Sequence, residues 1–197
     1  MTLVELLTVI TILIVLIGVG AWHLKPMASG SISQAAATIG GLFDMARSAA
    51  VIRGVETAVR VHCDPKDQER CFRYLIVVYR DSGTGTWKAL DQGVYLPPHI
   101  YFNPPRSEAL PGGLPTEVTW AFPESGEARA WVSYPFDRYG NLAAPQAQVV
   151  INRGHIGSGD AMPRFNPKDL AGFWINRFGA QHYFHSEDEM FVDEGDS

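Results

Sequence analysis

The chain has 197 residues, of which 46% are hydrophobic, and it carries a formal net charge of −5. This size accommodates one apolar helix and one folded domain, and the hydrophobic content excludes a wholly disordered chain. Six of its carboxylates are concentrated in residues 187–197, and the nearly neutral remainder lacks the basic clusters that bind nucleic acid.

The first 22 residues begin Met-Thr-Leu-Val-Glu and are then almost wholly apolar. The 19 positions 3–21 predict a helix of roughly 28 Å, which matches the hydrocarbon thickness of a membrane. A carboxylate within such a helix costs about 2.5–3.5 kcal/mol near its centre. Two interpretations of Glu5 therefore remain open. Either it pairs with the Met1 ammonium of a neighbouring copy, or it lies at the membrane surface with its carboxylate in water.

Beyond this block, apolar residues recur at intervals of three and four, which is typical of an amphipathic helix. They are Ile32, Ala35, Ile39, Leu42, Phe43, Ala46 and Ala50. The pattern predicts one long helix over residues 3–53. It should end at Arg53-Gly54, because a basic last turn followed by glycine is a common helix end.

Three residues weaken this helix near its middle. Gly18, Gly20 and Pro26 have low helix propensity, with glycine costing about 1 kcal/mol and proline about 3 kcal/mol relative to alanine. We therefore expect residues 18–26 to be the least regular part of the helix.

From residue 55 onward, β-branched and aromatic runs separated by turn residues predict strands. The predicted strands are 55–62, 71–80, 86–90, an edge segment 95–102 broken by two prolines, 118–122, 130–136, 148–151, and a last hairpin of 172–175 with 181–185. The Pro- and Gly-rich segments 103–115 and 154–167 are predicted loops. Trp120 and Trp131 are expected in the core, whereas Trp87 fits either the core or a partner-binding surface.

One long helix followed by antiparallel strands predicts an α+β fold in which the helix packs on a sheet. The corresponding division of the chain is a helical part over residues 1–53 and a β-rich head over residues 54–197. The head ends in the acidic tail.

Cys63 and Cys71 flank the predicted turn between the first two strands, and the residues between them are polar or proline. If the domain lies outside the cytoplasm, a disulfide is favoured. Free thiols are the alternative. A metal is disfavoured because this spacing is not that of a zinc site and the chain has no second pair of cysteines.

No catalytic, cofactor or metal site is predicted. His182 and His185 are three residues apart, so on a strand they point to opposite faces. Segment 154–160 contains His, Ser and Asp, but a glycine-rich loop explains the same residues and a triad is recognised by its geometry. The acidic tail lacks an ordered calcium-loop pattern, so we expect it to be solvated.

The start Met-Thr-Leu-Val-Glu-Leu-Leu, followed by an apolar helix, resembles the N-terminus of the type IV pilin and type II secretion pseudopilin family. Two weaker similarities point to its H-type minor pseudopilins: Met-Ala-Arg-Ser-Ala-Ala at 45–50, before Arg53-Gly54, and Pro-Phe-Asp-Arg-Tyr-Gly at 135–140. The family commonly has a proline near position 22, whereas this chain has Pro26.

This resemblance implies a structural subunit, not an enzyme, that assembles with copies of itself into a type IV pilus or a type II secretion pseudopilus. Met1 would be the N-terminus left by a prepilin peptidase and would be N-methylated, and Glu5 would pair with the neighbour's amine at Met1. The subunit would lie in the inner membrane with a periplasmic head until an assembly machine with an ATPase moves it into the filament.

Two alternatives remain. The first stays in the family and is a low-copy tip subunit of a type II secretion pseudopilus. The second belongs to another class and is a membrane-anchored periplasmic domain that binds a ligand or acts as an enzyme.

Overall fold

The computed structural model describes residues 28–107, 115–121, 126–157, 160 and 162–191. The chain divides into two compact units, Met1–Gly30 and Ser31–Ser197, and nearly all described residues belong to the second. The residues predicted to direct assembly or to interrupt the helix lie outside the described residues. They are Met1, Glu5, Gly18, Gly20 and Pro26.

Helix α1 (Ala28–Arg53) is the long element of the described chain. It ends where predicted, and Gly54 follows with a φ of 65°, the left-handed conformation that commonly terminates a helix. All seven apolar positions predicted from the periodicity are buried. The amphipathic part of the predicted helix is therefore confirmed.

Within the described ranges, segment Ile32–Arg53 of α1 is long and apolar enough to cross a membrane, by length and composition only. A core helix of a globular domain meets the same criterion. In this protein 44% of that apolar segment is buried, so its apolar face contributes to the core of the domain.

The β-strands form two antiparallel sheets. The strands are β1 (Thr57–His62), β2 (Tyr74–Arg80), β3 (Trp87–Ala89), β4 (Val94–Tyr95), β5 (Ile100–Phe102), β6 (Thr116–Ala121), β7 (Ala128–Phe136), β8 (Gln146–His155), β9 (Arg164–Asn176) and β10 (Gln181–Phe184). The first sheet has the order β3-β2-β1-β7-β6, with β4 beside β2, and the second has the order β10-β9-β8-β5. Two short helical turns, Pro104–Ser107 and Glu189–Phe191, complete the described elements. The predicted α+β class is confirmed.

The predicted first hairpin is present, since β1 and β2 pair with Val59 opposite Val77. Strand β2 begins later than predicted because turns occupy residues 70–73, where Phe72 has a φ of 57°. The two prolines at 97 and 98 divide the predicted segment 95–102 into β4 and β5, which belong to different sheets.

The predicted loop over 154–167 is wrong in part. Strand β8 extends to His155, and β9 begins at Arg164. These two residues are paired in the antiparallel ladder, which has a shift in register between Asn152 and Gly154. A Cβ atom at Gly154 would lie 2.8 Å from the carbonyl oxygen of Arg164. Glycine here therefore permits close approach of two strands, so the same residue that predicted a loop instead allows the pairing.

Phe43 is buried where α1 meets both sheets. Its ring centroid lies 5.1 Å from that of Tyr134 and 6.0 Å from that of Phe136, both on β7, and 5.3 Å from that of Phe173 on β9. All three contacts have the edge-to-face geometry that aromatic pairs favour. The helix and the two sheets thus share one core.

Strand β10 runs antiparallel to α1 along its surface. The Nε2 group of Gln181 donates to the carbonyl of Gly40 (3.1 Å) and to Oδ1 of Asp44 (3.0 Å). Farther along the strand direction, Nδ1 of His185 lies 3.5 Å from Oγ of Ser33. The chain therefore travels toward the beginning of the helix as it leaves β10.

Candidate assembly and binding surfaces

The two cysteines lie where the sequence placed them, beside the first hairpin. Cys71 is buried, Cys63 is partly buried, and both are thiols in this structure. Burial is the main cause that raises the pKa of each thiol to about 12. A thiol with such a pKa is a poor nucleophile at neutral pH. The disulfide remains a prediction.

His62, the last residue of β1, is buried with its ring edge-to-face against Trp131 at 4.9 Å between centroids. Neither ring nitrogen has a hydrogen-bond partner among the described residues. Burial is the largest influence and lowers the pKa of His62, although Asp67 and Asp64 act in the opposite direction. The imidazole is therefore neutral at pH 7 and belongs to the packing of the sheet.

Arg60 is 3% exposed and lies on the outer face of the first sheet. Its guanidinium carbon is 4.8 Å from the ring centroid of Trp87 and 4.9 Å from that of Trp120. Its Nε and Nη1 atoms have no hydrogen-bond partner among the described residues, and burial lowers its pKa to about 10. Attraction to two indole faces partly compensates for the buried charge.

The tryptophans on this face form a packed cluster. The Nε1 group of Trp120 donates to the carbonyl of Trp87, and that of Trp131 donates to the carbonyl of Trp120, each at 3.3 Å. Trp131 is buried as expected, whereas Trp120 is only partly buried at the rim of the cluster, since it belongs to edge strand β6. Trp87, whose role the sequence left open, packs against the same cluster.

The histidines and carboxylates form no metal-binding group of three or more within the described ranges. His182 lies on β10 and His185 beyond its end. In the segment 154–160, His155 ends β8, and Oδ2 of Asp160 pairs with Nε of Arg164 at 3.0 Å. The serine of this segment, Ser158, lies outside the described residues.

A surface near the C-terminal end of α1 exposes four large apolar side chains. Their exposed fractions are 56% for Val51, 83% for Ile52, 66% for Tyr139 and 68% for Phe178. We name these four residues the helix-end face. They come from the last turn of α1 and from the turns that follow β7 and β9.

The two turns reach the helix because each has a glycine at the point of contact. A Cβ atom at Gly140 would lie 2.8 Å from Cγ2 of Val51, and one at Gly179 would lie 2.7 Å from Cδ of Arg47. Both glycines also have positive φ values, of 78° and 87°, which other residues rarely adopt. Both turns are therefore fixed against the same stretch of helix.

Four exposed arginines border the helix-end face: Arg47, Arg53, Arg138 and Arg177. None of the four forms a salt bridge with a carboxylate among the described residues. By contrast, six other arginines do so: Arg70, Arg80, Arg106, Arg129, Arg153 and Arg164. Two of the bordering guanidiniums stack on tyrosines, that of Arg53 4.6 Å from the ring of Tyr79 and that of Arg138 4.9 Å from the ring of Tyr139.

Sequence reasoning missed the helix-end face. One signal was available, because Val51 and Ile52 are apolar but fall outside the stripe that ends at Ala50. The contributions of Tyr139 and Phe178 had no local signal, since only the tertiary structure brings their turns to the helix.

No protein-family model matches the sequence, and no curated protein matches it. A search of solved structures finds the minor pseudopilin EpsH from the type II secretion system of Vibrio cholerae. The similarity has a TM-score of 0.45 at 12% sequence identity and covers 80% of this chain and 96% of that chain. A likeness at this identity assigns no activity or partner, so function is argued from the residues of this chain.

Proposed function

We propose that this protein is a structural subunit of a type IV pilin-like helical filament, either a type IV pilus or a type II secretion pseudopilus. The observation that carries the proposal is the N-terminal sequence Met-Thr-Leu-Val-Glu, continued by apolar residues to position 22. The described architecture supports it, because α1 packs into the core through Phe43 and is therefore mechanically joined to both sheets.

Assembly on this proposal is a transfer of the N-terminal helix from the bilayer to the filament core. Both environments are apolar, so the hydrophobic free energy changes little during the transfer. Helix packing and an ion pair between Glu5 and the neighbouring copy's Met1 ammonium then favour the filament. Methylation of Met1, after a prepilin peptidase has removed a leader, retains the positive charge that this pair requires. An ATPase of the assembly machine supplies the work of extraction.

The direct test replaces Glu5. Removing one member of a buried ion pair costs about 3–5 kcal/mol, so Glu5→Ala should reduce filament yield by at least about 100-fold. Glu5→Gln keeps the shape and removes the charge, so it separates packing from electrostatics. Electron microscopy counts the filaments, and immunoblots of the membrane fraction measure unassembled subunit.

The matched control is Glu69→Ala, which removes an exposed carboxylate from the head. It should assemble like the unmodified protein. Normal filament yield from Glu5→Ala, with equal amounts of subunit in the membrane, would show that the ion pair does not drive assembly.

A further inference from the structure

We infer that a cleft at one end of the first sheet binds a neutral saccharide. The cleft has a volume of about 510 Å³ and lies where three connections meet: residues 54–56 after α1, residues 80–85 from the end of β2 toward β3, and residues 137–139 after β7. Small-molecule sites commonly have volumes of about 300–1,000 Å³. The binding is a property of the head and does not depend on assembly into a filament.

The walls of the cleft are fixed by hydrogen bonds within its own turns. Oδ1 of Asp81 accepts from the backbone N–H groups of Gly83 (3.0 Å) and Thr84 (2.9 Å). Oδ1 of Asp137 accepts from the backbone N–H group of Tyr139 at 2.8 Å. Both turns are thereby ordered without a ligand, as is usual for small-molecule sites.

The charges in the cleft are balanced. Three carboxylates line it, those of Glu56, Asp81 and Asp137. Two guanidiniums also line it, those of Arg80 and Arg138, and Asp81 pairs with the ammonium group of Lys88. A charged ligand would therefore meet like charges as well as opposite ones, whereas a neutral polar ligand needs only hydrogen bonds.

One ion pair in the cleft offers hydrogen-bonding groups that suit a sugar. Nη1 of Arg80 donates to Oε2 of Glu56 at 2.8 Å, and both side chains are about half exposed. Among the described residues, Oε1 of Glu56 has no hydrogen-bond partner, and neither has Oγ of the nearby Ser82. A hydroxyl group both donates and accepts. Two neighbouring hydroxyls of one sugar ring can therefore donate to the carboxylate and accept from the guanidinium at the same time, in hydrogen bonds strengthened by charge.

An aromatic ring lies beside these polar groups. Tyr139 lines the cleft and is 66% exposed. The guanidinium carbon of Arg138 lies 4.9 Å from its ring centroid, and Nη2 of Arg138 donates to its hydroxyl at 2.8 Å, which fixes the ring. The C–H groups of a sugar ring are weakly positive and pack on the negative face of an aromatic ring. The cleft thus matches both kinds of surface that a saccharide presents, its hydroxyl edges and its C–H faces.

The test is a glycan array probed with the full chain in a detergent that has no sugar head group. The array carries neutral oligosaccharides of hexoses and N-acetylhexosamines beside acidic oligosaccharides that bear carboxylates or sulfates. The chain should bind one or more of the neutral members. Isothermal titration with the neutral member that binds best then gives the dissociation constants of the variants.

The first variant removes the polar contact. Glu56→Ala should weaken binding at least about tenfold, because charge-assisted hydrogen bonds to the saccharide are lost. The matched control is Glu187→Ala, which removes the carboxylate of another surface pair, with Arg106, outside the cleft. This control should leave the affinity unchanged.

The second variant removes the aromatic contact. Tyr139→Ala should weaken binding at least about fivefold, whereas Tyr139→Phe keeps the ring and should retain most of the affinity. Glu56 and Tyr139 are both exposed, so the variants should unfold at the urea midpoint of the unmodified protein, which separates loss of binding from loss of folding.

Three results would overturn the inference. They are no binding to any saccharide of the array, binding only to acidic saccharides, and an unchanged affinity in either Glu56→Ala or Tyr139→Ala. A Glu5→Ala chain should bind the same saccharide with equal affinity, so failure of this inference and failure of the filament proposal are distinguishable.

Discussion

Replacing Phe43 by alanine should destabilise the whole domain, although the residue belongs to the helix. The side chain is buried and has ring contacts with Tyr134, Phe136 and Phe173. Truncating a buried phenylalanine costs about 3–5 kcal/mol, and edge-to-face contacts place this site toward the upper end of that range. Domains of this kind are stable by about 5–15 kcal/mol, so Phe43→Ala should remove a third or more of the free energy of unfolding.

The assay is urea unfolding of the full chain in mild detergent, followed by tryptophan fluorescence. Four of the five tryptophans lie on strands, namely Trp87, Trp120, Trp131 and Trp174, so the emission reports chiefly the unfolding of the two sheets. Ile52→Ala is the matched control, because Ile52 lies on the same helix but is 83% exposed, and its loss should cost less than about 0.5 kcal/mol. An unchanged urea midpoint for Phe43→Ala would refute the shared core.

Two further predictions concern titration and redox state. Burial lowers the pKa of His62 in the folded protein, so between its folded and unfolded pKa values the unfolded chain binds more protons. The contribution of His62 to stability should therefore be fully present above about pH 6.5 and be lost as the pH falls below that value, as measured by urea midpoints. His62→Gln should flatten this pH dependence, and an unchanged slope would show that other groups cause it. Cys63 and Cys71 should give no reaction with a thiol reagent after unfolding without reductant, because the predicted disulfide closes the loop with a stabilisation of about 2–3 kcal/mol. Two reactive thiols per chain would contradict the predicted disulfide. Protein that has been reduced before unfolding is the positive control for the thiol reagent.

The fold class was predictable because two periodicities are clear in the sequence. The spacing from Ile32 to Ala50 follows a helical stripe, and those side chains are the ones that α1 buries. The runs around residues 55–62 and 71–80 are typical of strands, and the polar cysteine loop between them predicted their hairpin. These features are local, so they do not depend on where distant segments fold.

The remaining features depend on contacts between distant parts of the chain. Arg60 is buried because Trp87 and Trp120, from the two edge strands of the first sheet, place their rings 4.8 Å and 4.9 Å from its guanidinium carbon. The helix-end face exists because two turns, near residues 139 and 178, return to the helix. The arrangement around Arg60 has no sequence pattern of its own, and the helix-end face has only the two apolar residues Val51 and Ile52 outside the helical stripe, so periodicity alone did not find either one.

The hydrogen bond from the indole of Trp120 to the carbonyl of Trp87 protects one edge of the first sheet when many copies of the chain are close together. Strands β3 and β6 are the two edges of the first sheet, and an open edge is a template on which another chain adds a strand and begins to aggregate. The indole occupies one acceptor of β3, which is only three residues long. Copies of this chain at high concentration would thus resist strand addition at this edge of the sheet.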